Sequence, residues 1–352
     1  MIMQKSIATN SILLETLQGN SGERPPFWFM RQAGRVLPSY QKMREKYSFW
    51  QLMQDPELAA EVTLLPVHDL GVDAAILFSD ILVIPFAMGM GLEFTNNGPV
   101  FENPLAHLKD PLAGIAPDAS KLNFIYAAID ETIRARPDDI PLIGFCGGPF
   151  TVLCYMLQGI GKNTDFPETV KFLYQQRGTT ERLIQAVTEL SVTYVKEQIR
   201  HGVEVFQLFE THAGLLPFEL YKELFFPAVG RIAQVVKEQG IPFIYFPKGI
   251  GTGISEITPD MCDFLGIDWQ IPLETARKLT AMEIGLQGNI DPRLLYASEE
   301  EIEKSLKPYL EFGRKYQRWI LNLGHGFLPD TPFEKALFLS NLVKNSDWQR
   351  GK

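Results

Sequence analysis

The feature that most constrains this chain is a rhythm. Short, apolar, β-prone runs recur along its whole length, separated by longer stretches of helical pattern. The runs fall at 27–30, 74–78, 142–146, 205–209, 243–246, 264–269, 284–287 and 319–323. They are nearly continuous in apolar character, as parallel strands buried on both faces require. The helical patterns cover 56–70, 122–136, 217–239, 298–313 and 331–345, and the stretch 166–201 is long enough for two helices. Asp55 suits an N-cap, with Pro56 at the first helical position. Pro66 is expected to kink or split the helix that follows. Gly240 suits a C-cap, and the acidic start of 298–313 suits a helix dipole.

Alternating strand and helix argue for an α/β fold with a parallel sheet, and eight such units argue for closure into a (β/α)8 TIM barrel. The 352 residues fit one barrel domain spanning 1–352. The main rival is an open doubly wound sheet, which often carries a Gly-rich first turn that is absent here. In a barrel the chemistry sits just past the C-terminal ends of the strands. Those positions hold Arg31, Ser79 and Asp80, Gly147 and Gly148, Glu210 and Thr211, Lys248, Gln270, Asn289 to Asp291, and His325.

Charge narrows the partners. The net charge of −9 makes nucleic acid and an anionic membrane surface poor partners. No apolar run approaches the roughly 20 residues of a membrane helix, and the N-terminus does not read as a signal peptide, so a cytoplasmic protein is expected. Three cysteines, Cys146, Cys154 and Cys262, fit no disulfide framework and read as small buried hydrophobes. There is no His-x-Cys or Cys-x-x-Cys pair, so no metal site is expected. An anionic substrate remains allowed if a local cationic cluster exists.

Such a cluster is present. Arg31, Arg35 and Arg44 bracket a tight loop, and guanidinium forks match carboxylates in pairs. Asp80 follows a wholly apolar strand, where it either caps a helix or faces the mouth. Gly147, Gly148 and Pro149 read as a strand-to-helix turn, with Tyr155 on the helix that follows. Before any resemblance is considered, Tyr155 reads more as a core aromatic than as a ligand contact. Glu210, Thr211 and His212 gather an acid, a hydroxyl and a base at one strand end without forming a triad. His325 lies between two glycines after the last strand. Lys248, in FPKGIGTG, suits either an anion contact or a mobile loop.

The segments RQAGR at 31–35, AAILFSDILVIP at 74–85, GNIDP at 288–292 and LGHGFLPDTP at 323–332 resemble the uroporphyrinogen decarboxylase family, and the likeness covers nearly the whole chain. The resemblance implies a single-domain barrel, a homodimer, no cofactor, and conversion of uroporphyrinogen III to coproporphyrinogen III by loss of four acetate carboxyls. It assigns substrate binding to Arg31, Gln32, Ala33, Gly34, Arg35, Arg44, Asp80, Tyr155, Thr211 and His325. Catalytic roles fall on Asp80, Arg31, Tyr155 and His325, with Arg31 a binder first and a proton donor second. Thr211 stands where the family commonly has Ser, and the hydroxyl survives. Two other readings make different demands. A corrinoid-linked methyltransferase on the same fold would be expected to carry zinc ligands. A non-catalytic tetrapyrrole carrier would not need Asp80, Tyr155 and His325 together.

Overall fold

The computed structural model describes residues 7–20, 22–95, 98–159 and 165–349. Its main sheet has seven parallel strands: β1 (Ala75–Ile76), β4 (Leu142–Gly147), β5 (Val205–Glu210), β6 (Phe243–Pro247), β7 (Phe264–Gly266), β8 (Gly285–Gln287) and β9 (Trp319–Ile320), hydrogen-bonded in that order. Two short antiparallel strands, β2 (Leu92–Thr95) and β3 (Gly98–Phe101), form a separate hairpin after β1. Each parallel neighbour is reached through helix, which is what a parallel connection needs. The register runs through pairs such as Ile143 with Val205 and Phe206 with Phe243. Strand side chains are buried on both faces, which accounts for the unbroken apolar runs.

The first expected strand, 27–30, is not a ladder strand. Only Phe27 forms a parallel bridge, to Leu321. The reason lies in its hydrogen bonding. Two prolines, Pro25 and Pro26, precede it and offer no N–H. Beyond Phe27, side-chain amides replace main-chain partners: the Phe29 N–H donates to Gln32 Oε1 at 2.9 Å and the Met30 N–H to Asn322 Oδ1 at 3.1 Å. The segment still meets both outer strands' surroundings. The Leu321 N–H donates to the Pro26 carbonyl and the Asp73 N–H to the Phe27 carbonyl, both at 2.9 Å.

The helices follow their sequence signals closely. Asp55 caps Pro56–Asp69 by accepting from the Glu57 and Leu58 N–H groups. That helix runs unbroken through Pro66, against the expectation of a split. The proline leaves the Val62 carbonyl without its usual donor, and the helix ends within one turn after it. The stretch 166–201 divides into Pro167–Gln175 and Arg177–Arg200, and Ser298 caps Glu299–Lys315. Gly240 follows Phe218–Glu238 at φ +75°, a conformation glycine tolerates. The hairpin at 92–101 has no counterpart in the sequence reading. Among the described residues no helix is long and apolar enough to cross a membrane.

Candidate active site

A cavity of about 490 Å³ opens where 31–44, the turn after β1 and the segment after β9 meet. Arg31, Ala33, Gly34, Arg35, Arg44, Asp80, Thr211 and His325 all line it, so most of the residues singled out in the sequence come together. Phe78, Phe145, Phe209 and Phe327 add an apolar wall, with the rings of Phe145 and Phe209 in edge contact at 5.6 Å. Flat aromatic surface beside cationic rim suits a ligand with an apolar centre and anionic arms.

The arginines are poised rather than paired. Arg31, Arg35 and Arg44 make no ion pair with a carboxylate among the described residues, and Arg44 donates to the Tyr47 carbonyl at 3.1 Å. Arg31 holds a left-handed backbone, φ +61°. Such a conformation costs a non-glycine residue about 1–3 kcal/mol and persists only where its surroundings enforce it. Its side chain runs over Gly326, where a Cβ would sit 2.3 Å from the Arg31 Cδ. Gly324 is pressed equally hard, a Cβ there lying 2.5 Å from the Trp269 nitrogen. Gly326 is therefore the clearance that lets the last segment pass beneath Arg31, and Gly324 the one that admits the backbone at Asp268 and Trp269.

Asp80 both turns the chain and faces the cavity, so the two alternatives left open by its sequence hold together. Its Oδ1 accepts the Leu82 N–H at 2.8 Å. Burial raises its pKa above the ordinary carboxylate range, while the Leu82 hydrogen bond and the Arg31 charge oppose the rise. His325 is driven the other way, down to about 3, first by burial and then by Arg31, Lys248 and His212. It is a neutral imidazole at physiological pH.

Gln32 and Tyr155 do not line the cavity. The Gln32 side chain is fully buried and bridges the Phe29 N–H and the Ala74 carbonyl, tying the first loop to the start of β1. Tyr155 stands behind the lining, its hydroxyl 3.2 Å from His212 Nε2 and its ring edge-on to Phe166. Its phenol is pushed up to about 12 by burial, then by Asp80 and Cys154, with Arg31 opposing, so it stays protonated. His212 is lowered to about 4 by burial and Lys248. Sequence reasoning noticed His212 but gave it no role, because its contact to Tyr155 spans elements far apart in the chain. Tyr40 and Phe49 also line the cavity and have no role in the sequence reading, which looks for chemistry just past the strand ends.

Beneath the site lies a second carboxylate. Glu210 ends β5, is fully buried, and accepts from the Phe150 N–H at 3.1 Å, the Thr151 N–H at 2.6 Å and the Thr151 hydroxyl. It thereby caps Pro149–Gln158, whose own N-cap, Gly148, has no side chain. A Cβ at Gly148 would meet Glu210 Oε2 at 2.4 Å. Burial pushes Glu210 up to about 7 despite those donors and Tyr221. The three cysteines are buried and free, their thiols raised by burial, as expected of inert core residues. Among the described residues no group of three or more His, Cys, Asp or Glu could hold a metal ion.

Fold and site together define a parallel-sheet α/β protein with a cation-rimmed, aromatic-walled pocket at the strand ends. The chain belongs to the uroporphyrinogen decarboxylase family: the family's model, described as "Uroporphyrinogen decarboxylase (URO-D)", matches residues 8–346. Two similar relatives named uroporphyrinogen decarboxylase come from Christiangramia forsetii and Pelobacter propionicus. The first is 39% identical over 95% of this chain and 98% of its own, and the second 38% over the same shares. Among solved structures, a methyltransferase from Methanosarcina mazei is similar with a TM-score of 0.75 at 19% identity, covering 96% of this chain and 99% of its own. At that identity the likeness speaks for the fold alone.

Proposed function

We propose that this chain is a uroporphyrinogen decarboxylase acting in porphyrin biosynthesis, a carboxy-lyase that converts uroporphyrinogen III to coproporphyrinogen III. One observation carries the reading: Asp80 shares a single cavity with three guanidinium groups that pair with no carboxylate among the described residues. A macrocycle with inner N–H donors and outer carboxylate arms complements that arrangement.

An acetate on a pyrrole releases CO2 once the ring carries positive charge. Protonation of a pyrrole carbon makes a cation, and the electron pair of the breaking C–CO2 bond flows into the ring. Protonation of the exocyclic carbon and loss of the ring proton then leave a methyl group, with one proton consumed per CO2 released. Asp80 accepts hydrogen bonds from the pyrrole N–H groups and stabilises the cation, an effect strongest in a site that excludes water. Arg31, Arg35 and Arg44 hold the carboxylate arms, and Thr211 and neutral His325 hydrogen-bond other substituents. Gly34 and Ala33 let the loop approach closely, and Gln32 enters through its main chain because its amide is engaged in the fold. Tyr155 acts as a phenol donor through a small movement from behind the lining. Guanidinium is a very weak acid, so Arg31 is a binder first and a proton donor second.

We further propose one barrel domain closed through 26–30, which meets Leu321 on one side and Asp73 on the other. One continuous apolar core from Leu13 to Trp348 supports a single domain. A homodimer, a cytoplasmic setting and catalysis without a cofactor follow from family kinship. The test is anaerobic incubation with uroporphyrinogen and analysis of products by carboxylate number. Stepwise appearance of products with fewer carboxylates is expected, and unchanged substrate after prolonged incubation with folded protein refutes the assignment.

A further inference from the structure

The arginine loop accounts for one side of the cavity mouth, and outside the lining, beside Trp269 and beyond His325, stands a cation with no role so far. Lys248 follows β6, the central strand of the seven, and so lies as far in strand order as the sheet allows from the arginine loop beside β1 and β9. Its ammonium has no carboxylate within 4.0 Å among the described residues. The nearby carboxylate of Asp268 is occupied, accepting the Gly249 N–H at 2.6 Å and the Gln270 N–H at 2.8 Å. The Lys248 Nζ rests 5.6 Å from the centre of the Trp269 ring, and that ring lies 6.4 Å from His325. Arg293 also lies over Trp269, but its charge is matched by Asp291 at 2.7 Å. Lys248 therefore stands half-buried and uncompensated behind His325, in a protein of net charge −9. His325 feels the charges of both Arg31 and Lys248.

The size of the ligand supplies the second argument. The cavity of about 490 Å³ is of the kind that encloses a drug-sized molecule, roughly 300–1,000 Å³. A tetrapyrrole bearing acetate and propionate arms at every pyrrole is larger, and its arms reach beyond the lining in several directions. The arginines meet the arms on one side only.

We propose that Lys248 is a second carboxylate anchor, gripping an unreactive arm of the substrate on the side of the mouth opposite Arg31, Arg35 and Arg44. The proposal rests on the tetrapyrrole decarboxylase reading. Trp269 holds the lysine stem and ammonium in place by cation–π contact. The flexible stem lets the charge follow whichever arm each successive decarboxylation presents.

The experiment is anaerobic steady-state turnover of uroporphyrinogen by the wild-type enzyme, Lys248→Met and Lys248→Arg, at low and high ionic strength. Lys248→Met should raise KM about tenfold at low salt with kcat within about twofold, since one charge-assisted contact to an unreactive group is lost. The difference should shrink at high salt, and Lys248→Arg should restore most of it. NMR titration of Lys248→Met should also show the midpoints of His212 and His325 moving upward. Lys248→Gln replaces Lys248→Met if the latter does not fold. If the wild type releases CO2 but the neutral variants keep its KM and salt dependence, the anchor is wrong. Loss of KM that arginine fails to restore also overturns it, because packing then explains the effect. If the wild type itself releases no CO2, the decarboxylase reading fails, and the anchor with it.

Discussion

Asp80 and Glu210 are two carboxylates at the C-terminal ends of parallel strands, both raised by burial, yet they differ in every other respect. Asp80 is half-buried, accepts one main-chain N–H and faces a cavity. Glu210 is sealed, and its oxygens are met by two N–H groups and the hydroxyls of Thr151 and Tyr221. An ionised carboxylate offers about four acceptor positions. Glu210 has filled its positions with the protein, whereas Asp80 keeps most of them for a ligand. A shifted pKa therefore identifies burial, and acceptor capacity left over separates a catalytic acid from a structural one.

Three substitutions would break or sharpen that contrast. The largest effect is expected from Asp80→Asn, which should lower kcat by at least about a hundredfold, comparable to removing one preorganised electrostatic partner. Its thermal midpoint should match the wild type. Turnover within tenfold of normal would mean that Asp80 does not face the developing cation. Next comes Glu210→Ala, which strands donors at the head of Pro149–Gln158 and opens a void. A loss of about 3 kcal/mol in denaturant unfolding is expected. A loss below about 1 kcal/mol would show that water replaces the carboxylate without cost.

The last effect, of similar size, concerns pH. The folded pKa of Glu210, about 7, lies above the unfolded value of 4.5, so the native state binds more protons between them. Its contribution is complete below pH 4.5 and is lost as pH rises through about 7, amounting to roughly 3 kcal/mol at about 1.4 kcal/mol per pKa unit. His325 and His212, lowered to about 3 and about 4, tilt stability the opposite way below pH 6.5. The difference between wild type and Glu210→Gln isolates the carboxylate. Their stability difference should change across pH 4.5–7, and parallel curves would place the Glu210 pKa near its ordinary value.

Much of this was legible in the sequence because it is local. Seven of the eight apolar runs are strands, Asp55 and Ser298 are caps, and of the residues past the strand ends Arg31, Ser79, Asp80, Thr211 and His325 line the cavity, while Glu210, Lys248 and Gln270 do not. What escaped depends on partners distant in the chain. The run at 27–30 has strand composition, yet its hydrogen bonds go to the amides of Gln32 and Asn322. Gln32 belongs to the same motif as Arg31 and Arg35, but its side chain points into the fold. Glu210 looked like a companion of Thr211 and His212, and only the packing of Pro149–Gln158 against β5 reveals it as a cap. The hairpin at 92–101 does alternate apolar and polar in its first strand, Leu92 to Thr95, but that signal is only four residues long and the second strand carries none.

The passage of Arg31 over Gly326 enlarges the genetic target of the active site. A residue with no side chain of its own governs whether the guanidinium can reach the ligand, so an alanine at 326 should damage the enzyme as a lesion at 31 does. Once Arg31 has been replaced by glycine, the same alanine should cost little more, because nothing remains for it to displace. Additive losses in that double-variant comparison would show that the two sites act separately.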